Sequence, residues 1–173
     1  MVADLNGDSW PDLFDVNYLE WGRPFVEPCI DSELGLPRTC PPERFAGESD
    51  ELYVNTADGG FSNDSADVGI SNALGKGLGV VAGDFSGDGN ISVFVANDQV
   101  PNFFWQADSR QQNRLQLREV ASAFGLAVNG SGESLACMGV AAADVNHDGG
   151  LDLFVTNFYR QPNTLYLNIG ASN

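Results

Sequence analysis

The sequence predicts an all-β protein built from a repeated, four-stranded antiparallel unit. Two observations carry that prediction. An acidic nine-residue loop occurs three times, at residues 4–12, 84–92 and 144–152, and each copy is followed by the same short apolar pattern. A phenylalanine stands ten residues after the first loop position in every copy (Phe14, Phe94, Phe154), and an asparagine thirteen residues after it (Asn17, Asn97, Asn157).

The segments between loop and asparagine, residues 13–16, 93–96 and 153–156, are apolar, partly β-branched and bounded by turn residues, so they read as strands. Residues 79–83 and 139–143 read as the strands before the second and third loops, and their small side chains suit close packing of neighbouring sheets. Each loop thus joins two antiparallel strands. A third strand follows at 51–55, 102–106 and 164–168, and Asp58-Gly59-Gly60 signals a hairpin into a fourth near Phe61, with a counterpart near Leu117. Residues 114–124 taken alone carry apolar side chains at helical spacing. Alignment with residues 61–70 predicts a strand and then a single helical turn.

Four short strands per unit of about 60 residues predict β-propeller blades. The whole chain, 1–173, reads as a partial propeller of about three blades: residues 1–70, 71–126 and 127–173. The first unit carries an insert at 19–49 with five of the eight prolines and both Cys29 and Cys40. A Cys29–Cys40 disulfide is expected to staple it, stabilising by about 3 kcal/mol. Cys137 reads as a small buried residue.

The loops point to calcium. Hard cations take six to eight oxygen ligands from a flexible cage. Side-chain oxygens stand at positions 1, 3, 5 and 9: Asp4, Asn6, Asp8 and Asp12; Asp84, Ser86, Asp88 and Ser92; Asp144, Asn146, Asp148 and Asp152. Position 7 (Trp10, Asn90, Gly150) offers a backbone carbonyl. Ser92 replaces a carboxylate, so the second loop is expected to bind more weakly than the others, and Asp152→Ser is expected to weaken the third. An EF-hand does not fit, because its bidentate Glu at position 12 is replaced by Asp15, Val95 and Val155.

Composition narrows the function. Apolar content of 43% excludes a disordered chain, and a formal charge of −16 excludes a nucleic-acid surface. No apolar run approaches membrane-spanning length. His147, the only histidine, lies at a loop position pointing away from the ion, so no nucleophile–histidine pair is supported. Gly75-Lys76-Gly77 lacks the rest of a phosphate-binding loop and reads as a turn. Asn17, Asn97 and Asn157 read as ties on strand-end turns. The chain opens on a strand running into a loop, which reads as a segment of a longer, exported protein.

These motifs resemble the FG-GAP/VCBS repeats of β-propellers. They resemble most the exported relatives of cartilage acidic protein, in which the propeller accompanies an ASPIC/UnbV domain. The residues carrying the resemblance are Cys40-Pro41-Pro42 with Phe45-Ala46-Gly47-Glu48, residues 75–81, residues 96–102, and Met138-Gly139-Val140 through Asn157. Ser92 departs from the pattern, and the ASPIC/UnbV region is absent. The resemblance implies a calcium-binding, secreted, extracellular or periplasmic propeller. The expected function is a non-enzymatic scaffold for a protein or glycan, its remaining blades supplied by a longer chain or by self-association. The alternative is a fragment of a carbohydrate-active enzyme, a polysaccharide lyase or hydrolase, since acidic pairs for glycoside chemistry are available.

Overall fold

The computed structural model describes residues 1–22, 28–108 and 115–170. Strands β1 (Val2–Ala3) and β2 (Asp12–Asp15) flank the first acidic loop, and the insert contributes β3 (Cys29–Ile30), β4 (Pro37–Arg38) and β5 (Glu48–Ser49). Then come β6 (Glu51–Asn55), β7 (Phe61–Asn63), one helical turn α1 (Ser65–Val68), β8 (Leu74–Gly75) and β9 (Gly77–Gly83). The second loop leads to β10 (Ser92–Asn97), β11 (Phe103–Ala107) and β12 (Leu117–Glu119); the last strands are β13 (Cys137–Ala143), β14 (Asp152–Asn157) and β15 (Thr164–Tyr166).

The protein is all-β and its sheets are antiparallel. The first sheet runs β1-β2-β6-β7, the second β9-β10-β11-β12, and the third β13-β14-β15. The third therefore has three strands among the described residues where four are expected. Strand–loop–strand pairing is as the sequence predicts, and so is the helical turn after β7. After β12, Phe124 N donates to Val120 O at 3.1 Å, closing a turn in place of the helix that spacing alone invites. Several boundaries move by one or two residues: the strand expected at 164–168 ends at Tyr166, and the one expected at 102–106 starts at Phe103, which frees Asn102 for a different task.

Successive side chains of a strand point to opposite faces, and here both faces of the middle sheet are covered. Every residue of β10 is buried. Val93, Val95 and Trp105 join Phe14 and Leu52 of the first sheet in one apolar cluster. Phe94, Ala96 and Phe104 join Leu153, Val155 and Cys137 of the third in another. Rings interlock across this second boundary, with Phe94 and Tyr166 centroids 6.2 Å apart.

The backbones of the second and third sheets pass close together at a pair of glycines. A Cβ at Gly79 in β9 would stand 3.0 Å from the Gly139 Cα and 3.1 Å from the Val140 N in β13. The insert hangs on the outside of this stack. A Cys29–Cys40 disulfide closes its β3–β4 hairpin, and β5 pairs with β8. Residues 23–27 of the insert, and Arg114, lie outside the described residues.

Gly79→Val should therefore destabilise the protein by roughly 1–3 kcal/mol, by forcing the second and third sheets apart. Gly130→Ala, where a Cβ meets nothing within 4 Å, should be close to neutral. Urea unfolding of the two variants beside the parent checks this.

Candidate metal centre

The three loops share one backbone. Positions 4 and 6 are left-handed in each: Gly7 and Ser9, Gly87 and Gly89, His147 and Gly149. Only glycine takes that conformation freely, so Ser9 and His147 sit there against local preference. The sequence offered a signal for position 6; the same need at position 4 was hidden because His147 occupies it in the third loop.

The position-1 carboxylate shapes the turn. Asp4 Oδ2 accepts from Ser9 N at 2.8 Å, Asp84 Oδ2 from Gly89 N at 2.9 Å, and Asp144 Oδ2 from Gly149 N at 3.0 Å. The position-5 carboxylate accepts from the residue two further on: Asp8 from Trp10 N at 2.8 Å, Asp88 from Asn90 N at 2.9 Å, and Asp148 from Gly150 N at 2.9 Å. Asn6 and Asn146 brace their loops by donating to Asp8 and Asp148 at 3.0 and 2.8 Å. The Gly89 N–H foremost holds Asp84 below the usual carboxylate range, and the Gly150 N–H, then the Asn146 amide, does the same for Asp148. Both stay charged at neutral pH.

Position 9 has a role that the loop pattern alone does not reveal. Asp12 is buried, and its two oxygens accept from Leu5 N and Asn55 N, each at 3.0 Å. Asp152, also buried, repeats this with Val145 N at 2.9 Å and Asn168 N at 2.8 Å. Each carboxylate ties the start of its loop to the end of the third strand. Replacing either one leaves two backbone donors to satisfy, at about 1–3 kcal/mol for each that stays buried. Asp152→Ser would thus change the fold along with any ion affinity. Ser92 takes this place in the second loop and is buried as well.

By donor type these loops fit a hard cation. A carboxylate has about four lone-pair sites, and the loop N–H bonds leave capacity on Asp8, Asp12, Asp148 and Asp152. By arrangement the fit is incomplete: among the described residues no three His, Cys, Asp or Glu side chains converge as a metal-holding group. Ser86 turns its hydroxyl towards Gln106, which donates to it at 3.2 Å. Asn90, Trp10 and Gly150 hold position 7 as the pattern requires.

At the opposite end of the strands the repeated asparagines tie turns. Asn17, Asn97 and Asn157 donate their amides to Ser49 O (2.9 Å), Pro101 O (2.8 Å) and Pro162 O (2.6 Å). The residue that follows each of those carbonyls answers by accepting the asparagine's own backbone N–H: Asp50 at 3.1 Å, Asn102 at 3.0 Å, Asn163 at 3.0 Å. Asn102 also donates, to Leu126 O at 3.2 Å. Asp50 has no hydrogen to give there, and its Oδ2 is buried without a partner among the described residues. Burial, with Asp15 adding repulsion, pushes the Asp50 carboxyl up to about 7 against the pull of the Asn17 N–H. Lys76, expected in a turn, instead sits buried at the break between β8 and β9, where its N–H donates to Asn97 Oδ1 at 2.9 Å and its ammonium to Pro42 O of the insert at 2.9 Å. Cys137 is a free, buried thiol, pushed up to about 11 by burial and by Asp98.

A cleft of about 540 Å³ opens beside the second loop, with Asp88 and Arg118 facing Phe104, Phe124 and Leu153. Among the described residues no helix is long and apolar enough to cross a membrane. Compared with known proteins, the chain matches no family model and no curated sequence.

Asp50 gives a signed pH prediction. Its folded value lies above its ordinary 3.8, so the unfolded chain holds fewer protons between the two values and stability falls as pH rises through that window. Asp50→Asn restores the donor that Asn102 has. It should stabilise the protein by roughly 2–4 kcal/mol near pH 8, and the gap should close as pH drops towards 4. Urea unfolding across that range checks it, because every other titrating group is common to both chains.

Proposed function

We propose that this chain is part of a calcium-binding β-propeller of the FG-GAP/VCBS kind that its motifs resemble. In this reading it serves outside the cytoplasm as a non-enzymatic scaffold for a protein or glycan. The observation that supports this most is the threefold recurrence of one unit: the same acidic loop joins the same two strands, and the resulting sheets stack face to face. The Cys29–Cys40 disulfide fits an oxidising compartment.

Asp4, Asn6, Asp8 and Asp12 would hold an ion in the first loop, with the Trp10 carbonyl. Asp144, Asn146, Asp148, Asp152 and the Gly150 carbonyl would do so in the third. Asp84, Ser86, Asp88, Ser92 and the Asn90 carbonyl form the poorer set. The ion supplies positive charge where the folded loop gathers carboxylates. Its binding therefore stabilises the folded chain, by about 2.7 kcal/mol per site at 100 times the dissociation constant. The cleft beside Asp88 and Arg118 is of a size for a small ligand, and it is the observation that favours the second reading, a carbohydrate-active enzyme. Calcium-dependent release of products from plant or algal polysaccharides would establish that reading and overturn the scaffold.

Excess chelator should lower the melting temperature, and calcium should restore it; an unchanged melting curve overturns the calcium reading. Because position 9 also ties strands, affinity is best probed at the exposed position 5. Asp148→Asn should weaken the third loop with little change in stability in chelator. Ser92→Asp should tighten the second loop. Calorimetric titration reads both.

A further inference from the structure

The sequence holds two Asn-Gly pairs, Asn6-Gly7 and Asn129-Gly130. In such a pair the backbone nitrogen of the glycine can attack the asparagine side-chain carbonyl, because no Cβ on the glycine stands in the way. The structure gives the two pairs different surroundings. Asn6-Gly7 lies in the first acidic loop, where the Gly7 N–H donates to Asp4 Oδ1 at 2.7 Å. The attacking nitrogen is thus engaged, and Asn6 Oδ1 accepts one backbone N–H, that of Asp8, at 2.9 Å. Asn129-Gly130 lies in the turn that crosses from the second sheet to the third. There the Gly130 N–H has no partner among the described residues, and a Cβ at Gly130 would meet nothing within 4 Å. Asn129 Oδ1 accepts two backbone N–H groups, those of Ser131 and Glu133, each at 2.9 Å.

We propose that Asn129 is a site of self-modification, converting to aspartate and isoaspartate in the folded protein while Asn6 is spared. The Gly130 nitrogen bonds to Asn129 Cγ, and the Cγ–Nδ2 bond breaks. The proton lost from the Gly130 nitrogen leaves with Nδ2 as ammonia, and a cyclic imide remains. Water then opens the imide at either carbonyl, giving an α-linked or a β-linked aspartate. In the tetrahedral intermediate negative charge develops on Oδ1, under the two N–H groups that already point at it. Donors arranged in advance in this way lower such a barrier. The change alters the turn. The Asn129 amide donates to Glu133 Oε2 at 3.1 Å. In the α-linked product a carboxylate takes its place, so two negative groups face each other. The β-linked product lengthens the main chain by routing it through the side chain. The turn is anchored on either side, by Asn102 N to Ala127 O and by Gln99 N to Leu135 O, each at 2.9 Å, which confines the change to the residues between. The proposal rests neither on the ion nor on the propeller reading.

The whole chain is incubated at mildly alkaline pH, well below its melting temperature, once in calcium and once in chelator. Circular dichroism checks that it stays folded, and peptide mapping by mass spectrometry follows both asparagines over time. Asn129 should convert roughly tenfold or more faster than Asn6, because the Gly7 nitrogen must first leave a charged hydrogen-bond partner. The run in chelator separates that bond from any shielding of the first loop by an ion. In urea strong enough to unfold the chain, the two rates should converge. Gly130→Ala, with its added Cβ in open space, should keep the fold and slow conversion at Asn129 several-fold. An Asn129 that stays intact in the folded chain overturns the proposal, as do equal native rates or faster loss of Asn6. A preference for Asn129 that persists in urea overturns it too, since its cause would then be the local sequence and not the fold. Conversion unchanged in Gly130→Ala excludes attack by the Gly130 nitrogen.

Discussion

A sheet of this repeat has two apolar faces, and the middle sheet hides both against its neighbours. The choice of side chain along each strand depends on that constraint. β10 meets it fully: Val93 and Val95 point into one cluster, Phe94 and Ala96 into the other. Alternation along the four apolar residues 93–96 turns a single strand into the shared wall of two cores. Fully burying each such side chain is worth about 1.5–3 kcal/mol relative to leaving it exposed. Stacking is thus a major stabilising term, and Gly79, where a Cβ would meet the backbone of the facing sheet at 3.0 Å, is a place where added bulk would oppose it.

Stacking fixes faces, but it does not fix where each strand starts and stops. Hydrogen bonds at the two strand ends do that, and they use different chemistry. At the loop end a buried carboxylate accepts two backbone N–H groups, as Asp12 and Asp152 do. At the other end an amide both donates and accepts: Asn97 donates to Pro101 O and accepts from Lys76 N, and Asn102 donates to Leu126 O and accepts from Asn97 N. At Asp12 and Asp152 the carboxylate meets only donors, while Asn97 and Asn102 each meet both a donor and an acceptor. Asp50 breaks that division, and its raised pKa is the consequence.

How much of this was legible follows from which interactions leave a period in the chain. The loop, the Phe and the Asn recur at fixed offsets, so the strands, the antiparallel pairing and the turn-tying asparagines could be read directly. Cys29 and Cys40 flank a short hairpin within one insert and could be paired. The role of Asp12 and Asp152 could not be read, because a ligand and a strand tie ask for the same residue at the same place. Nor could the exchange of Asn102 for Asp50, which emerges only once the register Val93 to Trp105 and Leu13 to Tyr53 is fixed. A strand placed one residue early hides the equivalence.

The departure at Ser92 fits the stacking constraint. Its loop belongs to the middle sheet, whose two faces are both covered, so β10 is held by packing on either side. In the first and third sheets a position-9 carboxylate ties the loop to the third strand. Asn168 adds to this in the third sheet by donating its amide to Phe85 O of the second loop at 2.7 Å. A serine suffices where packing is complete, and the same exchange removes a negative charge from the loop with the fewest carboxylates. The strength of the strand tie and the charge offered to a cation therefore vary together along this chain, both carried by the residue at position 9.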